Sequence, residues 1–453
     1  MVNSFQQNQQ TSALQLVQQR FAIIDLGGDI RVVDRDQIAD VLAGVHSGAV
    51  SFYKKVDGDL QLRRHLESSA IPCNPKQVVA DFWISPGTVE YKSTAFTPLQ
   101  TAPNTLNFWV GPTTKAAPGN WVQLRDYLKD VICNGDSQTF DYLIGFMAHM
   151  LQRPEDKPGV MVVLLGGQGT GKGVYFKLLK AIWPRTTVTI SDVDQVLGKF
   201  NAVLERTFIV CMDEALFAGD KRAIDKLKST VTEPCLQIEQ KYQPTRTIES
   251  VHRFFAASNH DHFANVERDD RRFVFLRVSA NRQQDTKYFG AIAKCIEDPL
   301  TLGALIYYLK RKDLTQFNIR AKPKTNENLT QKLRSLHGFD RYWYEVLSTG
   351  DFTGKGFSND LWSTSVFLPT STLLGAYREF NKNAERHSTI QEGQVAESIR
   401  RMCPSAQRNR KLVNKHGRND MKRGYDLPDL NVARGEFSNF IGGSPDWDSD
   451  DVQ

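Results

Sequence analysis

The segment LLGGQGTGKGVYF, residues 164–176, has the residue types and spacing of a phosphate-binding loop. Gly166 is followed by four residues and then by Gly171 and Lys172, which matches the pattern GxxxxGK. In such loops, backbone N–H groups wrap the β-phosphate of a nucleotide and the lysine neutralises the β- and γ-phosphate oxygens. We therefore expect ATP to bind at the loop residues Gly166, Gly167, Gln168, Gly169, Thr170, Gly171, Lys172 and Gly173.

The residue after the lysine departs from the usual pattern. Ser or Thr normally stands there and ligates Mg²⁺ through its hydroxyl, but this chain has Gly173. Magnesium keeps several waters in most nucleotide sites, so a water can replace the missing hydroxyl, and glycine leaves room for it. We interpret the loop as a working variant with ATP and Mg²⁺ as cofactors. No protein hydroxyl can be assigned to the first shell of the metal.

Acidic and amide side chains follow two further apolar runs. FIVCM, residues 208–212, ends in Asp213 and Glu214, and RFFAAS, residues 253–258, ends in Asn259. We expect Asp213 to reach Mg²⁺ through water, Glu214 to polarise the attacking water and Asn259 to orient it. Each feature alone is also common where a core strand passes into a turn. Their succession after the loop favours a catalytic site.

Two arginines, Arg271 and Arg272 in ERDDRRF, stand at the start of another apolar run. In a monomer they would be surface ion-pair residues. In a ring of subunits, one of them could reach the γ-phosphate bound by the neighbouring subunit as an arginine finger. The sequence does not separate the two.

Buried strands separated by helical segments must position these residues. VMVVLL, before the loop, is a continuous apolar run of the kind that buried parallel strands show, and VYFKLLKAIW, after the loop, is helical as far as Pro184. The runs 208–212, 253–258 and 272–279 supply three more strands. Strands that alternate with helices predict an α/β fold with a three-layer core.

Five segments, GGQGTGKG, CMDEALFAGDKRAIDKLK, IEQKYQ, AASNH and DDRRF, occur in the order typical of the superfamily 3 helicases within the AAA+ class. The chain most resembles the phage and satellite-element primase-helicases, which are related to the poxvirus primase-helicase. The resemblance covers residues 105–285 well. The short interval between Gly166 and Asn259 is itself typical of superfamily 3.

This resemblance implies an ATP-dependent replicative DNA helicase of a phage or mobile element. It implies a homo-oligomer, a hexameric ring that hydrolyses ATP between subunits and translocates on single-stranded DNA. Lys241 and Tyr242 fall where the family places its pore hairpin. A cation beside an aromatic ring can hold a phosphate and stack a base there, although an ordinary exposed hairpin tip would have the same composition.

Two other functions share parts of the pattern. An origin-binding replication initiator, which uses ATP as a slow switch without processive unwinding, would have every one of these motifs. A monomeric nucleotide kinase would need no arginine in trans, and Asn259 followed by Arg271 and Arg272 argues against it. DNA-stimulated turnover and unwinding separate the helicase from the initiator.

The composition is that of a globular protein, with 453 residues, 40% hydrophobic and 24% charged. No run approaches the ~20 apolar residues that span a bilayer, so we expect no membrane association. The six cysteines are scattered without a CxxC pair, which favours a reducing compartment over a disulfide framework or a zinc site. With no signal-peptide pattern, we expect the cytoplasm of a bacterial host. The net charge of +6 agrees with nucleic-acid binding without requiring it.

The segment from Arg400 to Arg423 holds nine basic residues and one acid, Asp420. Helical segments followed by a basic two-stranded loop predict a winged helix, in which VAESIRRM or its neighbour enters a groove and HGRNDMKRG forms the wing. A solvated basic face would explain the same charge. We expect phosphate contacts to single-stranded, forked or origin DNA from Arg408, Arg410, Lys411, Lys415, Arg418, Lys422 and Arg423.

The N-terminal ~105 residues lack convincing metal-binding carboxylates, so we expect any priming to belong to a separate primase or polymerase. In the acidic tail, Trp447 stands among Asp446, Asp448 and other carboxylates after two glycines. We expect the glycines to free this segment, which then stays solvated and inert as acidic ends usually do, folds back on the basic loop, or docks on a partner. The predicted organisation is 1–20 disordered, 21–105 mixed α/β, 106–155 helical, 156–285 ATPase core, 286–330 helical segment and linker, 331–440 winged-helix-like domain and 441–453 acidic tail.

Overall fold

The computed structural model contains two compact units. The first comprises Met1–Ala215, Lys226–Asn259 and Val278–Ala321, and the second comprises Leu216–Asp225, His260–Arg277 and Lys322–Gln453. The structure describes residues 2–43, 50–214, 221–241, 245–264, 267, 270–323, 325–352, 361–383, 390–415 and 418–447. No helix of this described part is both long and apolar enough to cross a membrane.

The first unit begins with a small mixed α/β layer. Its strands form one sheet in the order β3-β2-β1-β4, and β1 pairs antiparallel with β2. This hairpin, predicted from FAIIDLGGDIRVVD, is confirmed, and both turn glycines have positive φ. The elements are α1 (Val2–Arg20), β1 (Phe21–Asp25), β2 (Ile30–Asp34), α2 (Arg35–Ala43), β3 (Phe52–Tyr53), α3 (Lys55–Ser68), α4 (Pro75–Ile84), β4 (Glu90–Tyr91), and the parallel pair β5 (Ser93–Ala95) and β6 (Thr105–Asn107).

The prediction that residues 1–20 are disordered was wrong. Residues Val2–Arg20 form α1, whose Ala13 and Val17 lie fully buried in an apolar cluster with Phe21, Leu62 and Phe82. Two properties explain the difference. Glutamine favours the helix, and residues four apart share one helix face, so Ala13 and Val17 pack into the core together.

The remainder of the first unit is built around parallel strands. β7, β12, β9 and β8 lie side by side in that order, whereas β10 and β11 form a separate antiparallel hairpin. The predicted strands at 208–212 and 253–258 are confirmed. β8 was missed because its threonines interrupt the apolar run, Thr187 being half buried and Thr189 exposed. The strands are β7 (Met161–Leu165), β8 (Thr187–Ile190), β9 (Ile209–Met212), β10 (Cys235–Ile238), β11 (Arg246–Glu249) and β12 (Arg253–Ser258).

Helices flank this sheet. Pro299 opens the last of them at a position where its missing N–H costs nothing, and Asp298 caps it by accepting from Leu300 N and Thr301 N. The predicted helix before Pro154 is confirmed. The helices are α5 (Val122–Asp126), continued by a π-helical turn at Tyr127–Ile132, α6 (Ser137–Gln152), α7 (Lys172–Ile182), α8 (Asp194–Leu197), a 3₁₀ turn at Ala202–Arg206, α9 (Lys221–Thr232), which belongs to this unit from Lys226 onwards, α10 (Thr286–Glu297) and α11 (Pro299–Arg311).

The second unit has its own core of aromatic and aliphatic side chains, among them Tyr342, Trp343 and Phe437. Its antiparallel sheet has the order β14-β16-β15. The elements are β13 (Phe273–Arg277), α12 (Asn326–Arg334), α13 (Gly338–Thr349), β14 (Val366–Pro369), α14 (Thr370–Asn383), α15 (Glu392–Met402), β15 (Gln407–Lys415), β16 (Arg418–Leu427) and α16 (Leu430–Ile441).

The polar stretch around residues 318–330 is not only a connector. Helix α12 begins at Asn326, and Thr325 caps it by accepting from Asn328 N. Gln331 is fully buried and satisfied, because its amide donates to the Asp261 carbonyl and accepts from Phe263 N. A buried polar side chain with complete hydrogen bonds stabilises a core without looking apolar in the sequence.

Candidate nucleotide-binding site

The glycine-rich loop joins β7 to α7 and depends on glycine at particular positions. Gly169 and Gly171 have φ of 77° and 101°, a region that other residues rarely adopt. A Cβ on Gly171 would lie 2.5 Å from Cε1 of Phe289, and one on Gly167 would lie 3.0 Å from Nε2 of Gln283. In contrast, a Cβ on Gly173 would meet nothing within 4 Å. The space expected beside Gly173 therefore exists.

Lys172 opens helix α7 and folds back over the loop. Its side chain is buried, with 7% of its surface exposed. Nζ donates to the Gly166 carbonyl at 2.5 Å, to the Gly167 carbonyl at 2.8 Å and to Oδ1 of Asn259 at 2.8 Å. The loop therefore holds a desolvated cation against its own carbonyls, which is an arrangement that an anionic phosphate can exchange into.

Asn259 joins the loop to the acidic pair. It follows β12, which lies between β7 and β9. Because parallel strands end at the same edge of a sheet, the residues after these three strands converge there. Oδ1 of Asn259 accepts from Lys172, and Nδ2 lies 3.5 Å from Oε1 of Glu214. One amide therefore links the cation of the loop to the carboxylate after β9.

Asp213 and Glu214 occupy different environments after β9. Asp213 N donates to the carbonyl of Ile190 on β8, which fixes its backbone, and its side chain is half buried. Glu214 is exposed and has φ of 56°, a left-handed conformation that costs a non-glycine residue energy. Glu214 N also donates to Oδ1 of Asp213 at 3.2 Å. This turn presents Glu214 to solvent beside Asn259.

Three residues that the sequence analysis did not select brace the loop. Oη of Tyr127 donates to the Gly171 carbonyl at 2.9 Å, Nε2 of Gln283 donates to the Gln168 carbonyl at 2.9 Å, and the Gln284 N–H donates to the Gly169 carbonyl at 2.9 Å. Burial raises the pKa of Tyr127 well above its ordinary value, so its hydroxyl remains a donor. Tyr127 begins the π-helical turn. No sequence pattern predicts this turn or the hydrogen bond that Tyr127 donates to the loop.

Arg271 and Arg272 belong to the second unit and differ from each other. Arg272 is half buried, and its guanidinium lies 3.6 Å from Oδ2 of the buried Asp270. Its N–H also donates to Oδ1 of Asp270 at 2.8 Å. Arg271 is exposed. The structure therefore separates two residues that the sequence leaves equivalent, because Arg272 contacts Asp270 of the same chain.

The segment that was predicted to form a pore hairpin lies at β10 and β11, which pair antiparallel. Lys241, beyond β10, is exposed, and its Nζ lies 5.4 Å from the ring centroid of Phe200. Tyr242 lies outside the described residues. Among the described residues, no group of three or more His, Cys, Asp or Glu side chains is arranged to hold a metal ion.

The basic hairpin of β15 and β16 brings most of the predicted DNA-binding residues together. Arg408 stacks over Tyr425 at 5.8 Å, Lys411 is paired with Asp426, and Lys422 lies 3.2 Å from Asp420. The strand register places basic residues directly opposite one another, and these pairs are Arg410 with Arg423, Lys411 with Lys422, and Lys415 with Arg418. The side chains of Lys415 and Arg418 lie outside the described part of the chain.

We expected Gly442 and Gly443 to release the tail from the fold. For the residues up to Trp447 this expectation was wrong. Gly442, with φ of 80°, ends helix α16, and the chain then returns to the core of the second unit. The Trp447 ring lies 5.9 Å from Tyr344 and 5.9 Å from Phe437, and Arg434 stacks on it at 5.3 Å. An indole ring has a lower free energy when it packs against aromatic rings than when it lies in water among carboxylates. Residues 448–453 lie outside the described residues.

Comparisons with known proteins found similarity over part of the chain and in its fold. A family model described as a family of unknown function (DUF5906) matches residues 164–272. A DNA primase-polymerase of Nitratiruptor phage NrS-1 is 28% identical over 166 residues, which are 35% of this chain. The match spans only 23% of the length of that relative.

Solved structures of the NrS-1 C-terminal region resemble a much larger share of the chain. Two apo structures each align with 91% of this chain, at TM-scores of 0.60 and 0.61 and sequence identities of 16% and 15%. The alignments cover 97% and 98% of those structures. The chain therefore has the mixed α/β fold of that region.

Proposed function

We propose that this chain is an ATP-dependent DNA helicase that serves the replication of a phage or mobile element. The observation that carries the proposal is the link Lys172–Asn259–Glu214, at distances of 2.8 Å and 3.5 Å. A phosphate-binding lysine, a water-orienting amide and a water-polarising carboxylate are the parts that nucleoside triphosphate hydrolysis requires. The role in phage replication is supported by the similarity to the NrS-1 DNA primase-polymerase.

The residues of the loop fit a triphosphate. Glycines at 167, 169 and 171 keep the loop free of side chains that would collide with its surroundings, and Lys172 supplies the positive charge. Asp213 would contact the metal through water, and Gly173 leaves space for one of those waters. Bound Mg²⁺ would neutralise charge on the β- and γ-phosphates. Glu214 would accept a proton from the attacking water, while Asn259 would orient that water.

The fold supports a finer assignment to the superfamily 3 helicases of the AAA+ class, with a three-layer ATPase core. The strand carrying Asn259 lies between the strand of the loop and the strand of the acidic pair, so the motifs that are distant in sequence meet at one sheet edge. The resemblance then implies a hexameric ring. In that ring, the exposed Arg271 is the better candidate to reach the neighbour's γ-phosphate, because Arg272 is held by Asp270.

The second unit supports a DNA-binding role. Helix α13, strand β14, helices α14 and α15, and the hairpin of β15 and β16 follow one another in the order of a winged helix, with α15 as the candidate recognition helix. The basic residues of the hairpin would contact phosphates of single-stranded, forked or origin DNA. Priming would belong to a separate primase or polymerase.

The origin-binding initiator is the second candidate, and the basic hairpin is the observation that favours it. Such a protein would bind duplex DNA through the second unit and hydrolyse ATP slowly, without processive unwinding.

Unwinding of a forked DNA separates the two functions. The helicase should displace a labelled strand with ATP, and Lys172→Ala should abolish displacement while Lys180→Ala, on the same helix, should not. Strong duplex binding without displacement by the wild-type protein would favour the initiator. ATP hydrolysis that neither DNA nor Lys172→Ala affects would contradict both.

A further inference from the structure

One face of the hairpin of β15 and β16 carries an exposed apolar pair beside an exposed arginine pair. Leu412 lies directly opposite Met421, and their exposed fractions are 65% and 61%. Arg410 lies opposite Arg423, two residues nearer the base of the hairpin on each strand. Since side chains two residues apart on a strand share a face, the four form one surface, which we term the hairpin face.

Folding alone does not account for this surface. Like charges directly opposite each other destabilise a sheet by roughly 0.2–1 kcal/mol. Among the described residues, the guanidinium groups of Arg410 and Arg423 have no ion pair or hydrogen bond that would offset this cost. Leu412 and Met421 leave most of their apolar surface in water. A partner that supplies both negative charge and apolar surface would stabilise this arrangement.

A cavity adjoins the arginine end of the hairpin face. Its volume is about 460 Å³, and Arg408, Arg410 and Arg423 line it. Thr370 and Glu392, in the first turns of α14 and α15, also line it. Helix N-termini favour anions, and three guanidinium groups exceed the single carboxylate of Glu392 in charge. The cavity is therefore suited to a phosphate group.

We propose that the hairpin face is a wedge that engages the end of a DNA duplex. Arg410 and Arg423 hold backbone phosphates, and the Leu412–Met421 pair rests on the terminal base pair and unstacks it. Leucine and methionine are among the side chains that insert between base steps. The proposal rests on the proposed DNA-binding function. DNA is favoured over a protein partner because Arg410 and Arg423 adjoin the apolar pair and, with Arg408, line a cavity suited to a phosphate group.

The direct test places 2-aminopurine at the junction of a forked DNA, without ATP. Wild-type protein at saturation should raise its fluorescence, because the base loses its stacking partner. The double variant Leu412→Ser with Met421→Ser should abolish at least about four-fifths of the rise while still binding the fork, since the arginine contacts and their salt dependence remain. Val366→Ser is the matched control, because Val366 is also exposed, at 36%, on the same sheet.

The arginine pair is tested by the salt dependence of binding. Arg410→Gln with Arg423→Gln should weaken fork binding and reduce the slope of log K against log salt by about 1.8, the value for two phosphates. Circular dichroism checks that each variant folds. A slope equal to that of the wild type would contradict the phosphate contacts.

Two results would overturn the wedge. One is wild-type protein bound to the fork without any rise in 2-aminopurine fluorescence. The other is sedimentation showing that the serine variant loses self-association while its effect on the fork is unchanged, which would make the hairpin face a contact between copies of this chain. Because these measurements use no ATP, failure of the proposed helicase activity, measured as DNA-stimulated ATP hydrolysis, is distinguishable from failure of the wedge.

Discussion

Lys172 and Asn259, at the ends of two neighbouring strands, share a hydrogen bond of 2.8 Å between Nζ and Oδ1. This contact orients the amide so that Nδ2 points to Glu214, whereas the opposite orientation would place an N–H group against the ammonium. The amide therefore contacts both the ammonium of the loop and the carboxylate after β9. Under the proposed function, a γ-phosphate bound by Lys172 would release the amide, which would then orient a water molecule beside Glu214.

The glycines of the loop give a pair of substitutions with opposite expected results. Gly171→Ala should destabilise the protein by about 1–3 kcal/mol and abolish ATP binding, because its Cβ would meet Phe289 at a φ of 101°. Gly173→Ser should fold normally and change the turnover rate by less than about threefold, since the space beside Gly173 is open. Thermal melting and ATP turnover measure both. A hundredfold faster Gly173→Ser enzyme would show that the natural loop is impaired.

Arg271 should act in trans. Arg271→Ala and Lys172→Ala should each be inactive in ATP hydrolysis, whereas rings mixed from the two variants should regain activity at interfaces where both residues are intact. Arg272→Ala should instead lower stability, because it leaves the buried Asp270 without its ion pair. Native mass measurement establishes that the rings are mixed. Mixed rings without any rescue would contradict the assignment.

Trp447 should stabilise the second unit. Trp447→Ala should lower the free energy of unfolding by about 1–3 kcal/mol, because it removes contacts with Tyr344, Phe437 and Arg434. Phe200→Ala, which removes an aromatic ring that is 46% exposed in the first unit, is the comparison. Denaturant unfolding measures both. If Trp447→Ala were as stable as the wild type, the hypothesis that the tail is not packed on the fold would be supported instead.

His252 should make the first unit sensitive to mild acid. It is fully buried between Leu204 O, 2.8 Å from Nε2, and Ser250 Oγ, 2.9 Å from Nδ1, and burial lowers its pKa to about 4. Between about pH 6.5 and pH 4, the unfolded histidine therefore binds a proton that the folded one does not. The contribution of His252 to the free energy of unfolding is complete above pH 6.5. It decreases by about 1.4 kcal/mol for each pH unit between about pH 6.5 and pH 4.

Unfolding free energies at pH 7 and pH 5 test this dependence. His252→Asn should be less stable than the wild type at pH 7 but should lose less stability on acidification. An unchanged pH dependence in the variant would contradict the assignment to His252.

The sequence predicted the parts of the site that rest on short patterns. The loop, the acidic pair and Asn259 each follow an apolar run, and buried parallel strands have a clear signature, so their convergence could be foreseen. Tyr127, Gln283 and Gln284 could not, because they brace the loop through single hydrogen bonds from distant segments. The predictions of a disordered N-terminal segment and of a tail released at Trp447 were wrong because both segments are polar in composition. Polar composition suggested solvated segments, yet a few apolar side chains fix each of them in a core.

The proposal that this chain hydrolyses ATP at the Lys172–Asn259–Glu214 site is tested most directly with Glu214→Gln. This substitution keeps the shape of the side chain and removes only its ability to accept a proton. Glu297→Gln makes the same exchange at the exposed end of α10 and serves as the control. The account predicts that Glu214→Gln binds a fluorescent ATP analogue with wild-type affinity, while its turnover rate falls by about 10²–10⁴-fold. Turnover within threefold of the Glu297→Gln control would contradict the account.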